Sequence, residues 1–307
     1  MATQSEFDNM LSYLNVSDKT LTNYNNTYKR LMKITKDKPL KLITDEELIK
    51  LIDAQEISIS AKITLLIVAI NIYATSNRDK HKLTNYRNIL NDRLKIDKAE
   101  KAKQPQSISV SKLKKFLDEL LVSKSYNEYV VNYLMINLGV RNKDLDAIIT
   151  TDEELVDDVD NWLLIKPNGS IEYIRNDYKT ASQYGQKRHL INDKSFYEAV
   201  KALNKNKASY DSKDGVVYVD YLLSKKNGER IKNSSIGNIV RRMTYEDVGE
   251  AEYFKTIVSN ADKKQTEYLS ASRGTSVGVI QTFYDRQTEN YDGQFKSGKA
   301  VEMMEFV

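Results

Sequence analysis

Apolar residues recur at helical spacing through the first third of the chain. Leu21, Tyr24, Tyr28 and Leu31 line one face of a helix that Ser17 is placed to cap, with Lys29 and Arg30 beside the stripe. Thr44, followed three residues later by Glu47, forms a capping box ahead of Leu48, Leu51 and Ile52. Ile63 to Tyr73 is apolar enough for a buried central helix, and Asn77 to Lys95 reads as a polar, basic one. Four or five helices around one buried member predict a small bundle.

The pattern breaks at residues 98–107, KAEKAKQPQS, which carry no large apolar side chain and contain Pro105. We read this stretch as a linker between a helical domain, residues 1–97, and a second domain, residues 108–307. In the second domain the spacing predicts helices from Ser111 to Leu121 and from Asn127 to Leu138, the latter ended by Gly139, and a short one from Arg141 to Ile149. Strand-like runs follow at Trp162 to Ile165 and Ile171 to Ile174 around a Pro-Asn-Gly turn, then at Lys187 to Ile191. Helical patterns fill the rest, interrupted by Val216 to Val219. The fold class expected is mainly α with a small β-sheet, an α+β protein.

Composition narrows the chemistry. The 307 residues contain no cysteine and two histidines, His81 and His189, so disulfide frameworks and thiolate metal sites are excluded and imidazole-based sites start with few parts. The acidic block Asp152 to Asp160 lacks the glycine and alternation of a calcium loop and reads as an exposed turn. The longest apolar run is about ten residues, too short to span a bilayer, and the N-terminus lacks the features of a signal peptide. An intracellular or virion-associated protein is expected. Net charge is +4 but unevenly placed: residues 1–107 hold 18 Lys and Arg against 13 Asp and Glu, the remainder 29 against 30. Nine of the basic residues fall between Arg78 and Lys103, and Arg78, Lys80, Lys82 and Arg87 make a stripe able to neutralise DNA phosphates or simply to face solvent.

Four segments of the second domain carry candidate chemistry. Residues 139–145, GVRNKDL, put Arg141 after a helix-ending glycine with Asp144 three positions on; a guanidinium is always charged and can hold two phosphate oxygens. Residues 178–180, YKT, put Lys179 between two strands, with Lys187 as its rival. Residues 251–259, AEYFKTIVS, read as a helix with Phe254 and Ile257 on its buried side. Residues 272–284, SRGTSVGVIQTFY, end on Tyr284, one of 20 tyrosines. Taken singly, each segment also admits a plain surface or core reading.

In this order and spacing the segments resemble the tyrosine recombinases, the integrase family, over most of the chain. The resemblance implies a core-binding domain followed by a catalytic domain. It implies a nucleophile, Tyr284, that leaves a 3′-phosphotyrosyl bond, with Arg141 on the phosphate and Lys179 protonating the leaving oxygen. The chain departs from the family pattern at three positions. Glu252 and Lys255 stand where the family has a histidine and its second arginine, and Thr275 replaces the histidine after Gly274. Arg273 is placed to compensate for the missing arginine. No metal or nucleotide cofactor is implied; double-stranded DNA and an assembly of four protomers are the expected partners, and the tail Lys299 to Val307 is expected to dock on a neighbouring protomer or on its own domain. The alternative is a recombinase-like fold kept for DNA binding or packaging after cleavage was lost. A type IB topoisomerase, acting as a monomer, fits the size and domain plan less well.

Overall fold

A computed structural model describes residues 2–14, 16, 18–102, 108–212, 215–231 and 235–284. The chain divides into two compact units, residues 1–101 and 102–307. The Ser17 cap, the linker residues 103–107 and the tail from Lys299 lie outside the described residues.

The first unit is helical: α1 (Ala2–Ser12), α2 (Asp18–Ile34), α3 (Asp45–Asp53), α4 (Ile59–Thr75) and α5 (His81–Ala102). Its core forms around α4, whose Leu65, Leu66, Val68, Ala69, Ile72 and Tyr73 are buried, as a helix apolar on nearly every side must be. Phe7 of α1 stacks on Tyr28 of α2 at 4.6 Å. Thr44 and Ser58 cap α3 and α4 by accepting the backbone N–H of Glu47 and of Ala61, each at 3.2 Å. The helix α5 starts later than the expected Asn77. Asn77 has a positive φ of 51°, and Asp79 accepts the His81 N–H at 2.8 Å, which sets the start at His81. It then runs through Ala102, into the stretch expected as linker, because residues 98–102 are good helix formers with no breaker among them.

The second unit opens with α6 (Val110–Val122) and α7 (Tyr126–Leu138). Residues 141–149 are not a helix. A single 3-10 turn at Asn142–Leu145 leads into β1 (Ala147–Thr150), because Ile148, Ile149 and Thr150 are β-branched and the first two pair on both sides. Next come β2 (Asn161–Ile165), β3 (Ile171–Arg175), the short α8 (Ala181–Tyr184), β4 (Lys187–Ile191) and α9 (Lys194–Leu203). Then follow β5 (Ala208–Ser212), β6 (Gly215–Tyr221), α10 (Ile236–Met243), α11 (Glu250–Val258), α12 (Lys263–Arg273) and α13 (Val277–Phe283). The strands form one six-stranded sheet, order β4-β3-β2-β1-β6-β5, antiparallel except for the β1–β2 pair.

The molecule is thus α+β and mainly helical, and among the described residues no helix is long and apolar enough to cross a membrane. The acidic block serves as the β1–β2 connection. Asp157 accepts the backbone N–H groups of Val159 and Asp160, the indole N–H of Trp162 and the hydroxyl of Tyr210. The main core lies among α7, α9, the helices after β6 and one face of the sheet.

Candidate active site

Two glycines with left-handed backbone bring the site together. Gly139, φ 60°, ends α7 and turns the chain so that Arg141 follows two residues later. A Cβ at Gly139 would stand 2.7 Å from Cε2 of Phe254, so α11 packs where only a hydrogen fits. Gly274, φ 63°, ends α12, and a Cβ there would stand 2.6 Å from Oγ1 of Thr180 in the β3–β4 connection. The Arg141 turn, the β3–β4 connection and the approach to Tyr284 therefore meet at the C-terminal end of α12.

A helix leaves its last carbonyls without intrahelical partners and carries partial negative charge there. At the end of α12 four consecutive carbonyls are each taken by a different side chain. Lys187 Nζ donates to Ala271, Arg175 Nη2 to Ser272, Arg141 Nη1 to Arg273 at 2.6 Å, and Thr180 Oγ1 to Gly274 at 2.8 Å. Three cations from separate stretches of chain are thereby held within one helical turn of each other.

Their surroundings differ. Arg175 is fully buried: Nη1 pairs with the buried carboxylate of Asp144 at 2.9 Å, and Nη2 also meets Nε2 of His189 at 2.9 Å. A guanidinium can only donate, so Nε2 accepts and the His189 proton sits on Nδ1. Burial, with the Arg175 and Lys187 charges, holds the His189 pKa down at about 4, so the ring is neutral. Burial pushes the Asp144 carboxyl up while Arg175 pulls it down. Arg273 is also buried, its Nη1 donating to the Gly139 carbonyl and its Nη2 paired with Glu250.

Arg141 and Lys187 are half-buried. Burial and the Arg273 charge lower the Arg141 pKa; burial and the Arg175 charge lower that of Lys187. Tyr284 is half-buried as well. Its ring meets Phe254 edge-on at 4.9 Å and lies 5.6 Å from the Arg273 guanidinium, within electrostatic range of Arg141.

The other expected residues lie around this cluster in different ways. Lys179 is exposed on the β3–β4 connection, and among the described residues no hydrogen bond or ion pair ties it to the cluster; Lys187, its rival, is inside. Glu252 and Lys255 are half-buried on α11, the helix from which Glu250 and Phe254 meet Arg273. Thr275 is half-buried, its N–H donating to Ser270 O at 3.1 Å and its carbonyl accepting from the Ser270 hydroxyl.

In the first unit, Arg78 donates to the carbonyls of Leu40 and Ile43 at 2.8 and 2.9 Å and lies 4.1 Å from the centre of the Tyr73 ring. Lys82 pairs with Glu46. Lys80 is exposed, and Arg87, half-buried, makes a long 3.4 Å bond to Asn88.

Sequence reasoning missed Arg175, Glu250 and the role of His189. The one signal was a charged residue closing an otherwise buried strand, IEYIR; nothing local distinguishes such an arginine from a surface one.

No family model matches this chain, and a search of curated proteins finds no match. Among solved structures, the crystal structure of XerA recombinase aligns over 92% of this chain and 93% of that chain, at 14% identity and a TM-score of 0.37. The overlap is loose at that score.

Proposed function

We propose that the chain binds double-stranded DNA and breaks and rejoins it through Tyr284. The observation that carries this reading is the convergence of Lys187, Arg175 and Arg141 on the last carbonyls of α12, eleven to thirteen residues before a half-buried tyrosine. A phosphodiester that displaces the Arg141 and Lys187 contacts offers these cations a full negative charge in place of carbonyl dipoles. Tyr284 Oη then attacks phosphorus and gives up its proton to water, the P–O5′ bond breaks, and the departing oxygen takes a proton. Lys187 is the donor favoured here over Lys179, because it reaches the cluster while Lys179 is exposed; burial lowers the Lys187 pKa, which makes its ammonium a stronger acid than an ordinary lysine. Arg141 offsets charge developing on the phosphoryl oxygens. Religation runs the same steps in reverse.

A second reading is favoured by a specific observation. Arg175 and Arg273 are buried and committed to internal bonds, which leaves Arg141 and Lys187 as the cations of the cluster that are partly open to solvent. A protein of this kind could hold DNA without cutting it.

One experiment separates the two. The full chain is incubated with nicked duplexes of randomised sequence, and denaturant-resistant protein–DNA adducts are collected. Wild type is expected to give adducts and Tyr284→Phe none, with DNA affinity within about threefold of wild type, since the hydroxyl acts in the reaction and not in binding. Binding without any adduct in wild type would leave the second reading standing.

A further inference from the structure

Glu250 opens α11 and touches both halves of the site. Its Oε2 accepts the backbone N–H of Asn142 at 2.9 Å, beside Arg141; its Oε1 accepts Nη2 of Arg273, the last residue of α12. The carboxylate is one-fifth exposed and its arginine partner 3% exposed, so the pair is largely shielded from water. Arg273 fixes three things in turn. Its Nη1 holds the Gly139 carbonyl, its own carbonyl receives Arg141, and its guanidinium lies 3.9 Å from the Phe254 ring and 5.6 Å from the Tyr284 ring. Burial and then the charge of Arg273 lower the Arg141 pKa, and Glu250 supplies an opposing charge.

We propose that Glu250 is a positioning residue that locks the Arg141 turn and the Arg273 guanidinium to one helix end, fixing the phosphate-holding arginine relative to Tyr284. The proposal rests on Tyr284 being the nucleophile. Neither obvious replacement can do the same work. Glutamine has one acceptor oxygen, so either Asn142 or Arg273 loses its partner and an N–H is turned toward a donor. Aspartate keeps the charge but is one methylene shorter and cannot span both donors.

The test measures adduct formation at saturating DNA, and DNA affinity separately, for wild type, Glu250→Gln and Glu250→Asp. Glu229→Gln, whose carboxylate pairs with Lys225 elsewhere on the surface, is the control. We expect Glu250→Gln to slow adduct formation by about 10- to 100-fold, the effect of a misplacement of about 1 Å. Affinity should stay within about threefold, Glu250→Asp should recover part of the rate, and the control should match wild type. Tyrosine 13Cζ NMR, with the Tyr284 signal assigned by its loss in Tyr284→Phe, should show that one resonance moved in Glu250→Gln while the bulk of the tyrosines stay in place. This reports on position even where the rate is lost. Wild-type rate in Glu250→Gln, or rate and affinity falling in parallel, overturns the proposal alone. A wild type that binds DNA without forming an adduct overturns it together with the nucleophile reading.

Discussion

Lys187 and Lys179 illustrate how little a side chain's place in a motif says about where its charge ends up. Both lie between β3 and β4 or at the strand edge, yet one is exposed and the other reaches the end of α12. Alternation along β4 decides this: Lys187, His189 and Ile191 share the face turned toward the protein, while Arg188 and Leu190 are exposed. If Lys187 is the proton donor, Lys187→Met should slow cleavage by about 10²- to 10⁴-fold, the range for general acid catalysis. Lys179→Met should cost less than about threefold. Replacing the 5′ bridging oxygen of the substrate by sulfur, whose thiolate leaves without a proton, should restore most of the Lys187→Met rate; an unrescued variant would assign Lys187 to phosphate binding instead.

At the level of elements, the clearest sequence signals were local ones, caps, turn residues and periodic apolar positions. The capped helices α3 and α4 and the β2–β3 hairpin fall close to where periodicity and turn residues placed them. Residues 141–149 did not: the short apolar run from Ala147 to Ile149 suits a strand or the end of a short helix equally, and its pairing with β2 and with β6, distant in sequence, chose the strand. β5, with the sequence ASYDS, gave no apolar signal and forms by pairing with β6. Gly139 was legible as a helix stop, but its packing against Phe254 was not, and Gly274 was singled out by the resemblance and not as the end of α12. Gly139→Ala should destabilise the protein by about 2–4 kcal/mol, combining the left-handed backbone penalty with displacement of Phe254. Gly169→Ala, with φ 85° and nothing within 4 Å of the new methyl, should cost only about 1–2 kcal/mol. Denaturant unfolding measures both, and equal losses would mean that the Phe254 contact yields without cost.

For the whole molecule, two compact units that each bury apolar clusters of their own imply two folding units. Residues 1–102 and 108–307, expressed apart, should each absorb heat in one cooperative transition in differential scanning calorimetry. A first unit without such a transition would show that it depends on the second. Charge at this scale is smaller than a count of basic residues suggests. In the stripe from Arg78 to Arg87, Arg78 is bonded to backbone carbonyls and Lys82 to Glu46, so the exposed Lys80 carries much of the charge left for a phosphate backbone.

The sequence by itself determined the helical first unit, the mixed second unit and the helix end at Gly139, because each follows from spacing or residue type within about a dozen neighbours, and its resemblance to a family made Arg141 and Tyr284 candidates. Tertiary structure alone decided which cations share the end of α12, that Arg175 and Arg273 are buried behind Asp144 and Glu250, and that Lys187 rather than Lys179 enters the cluster. Those outcomes depend on which carboxylates and carbonyls the folded chain brings to within about 3 Å of a charge. Partners more than 100 residues apart, such as Arg141 with Arg273 or Asn142 with Glu250, leave no trace in the local pattern.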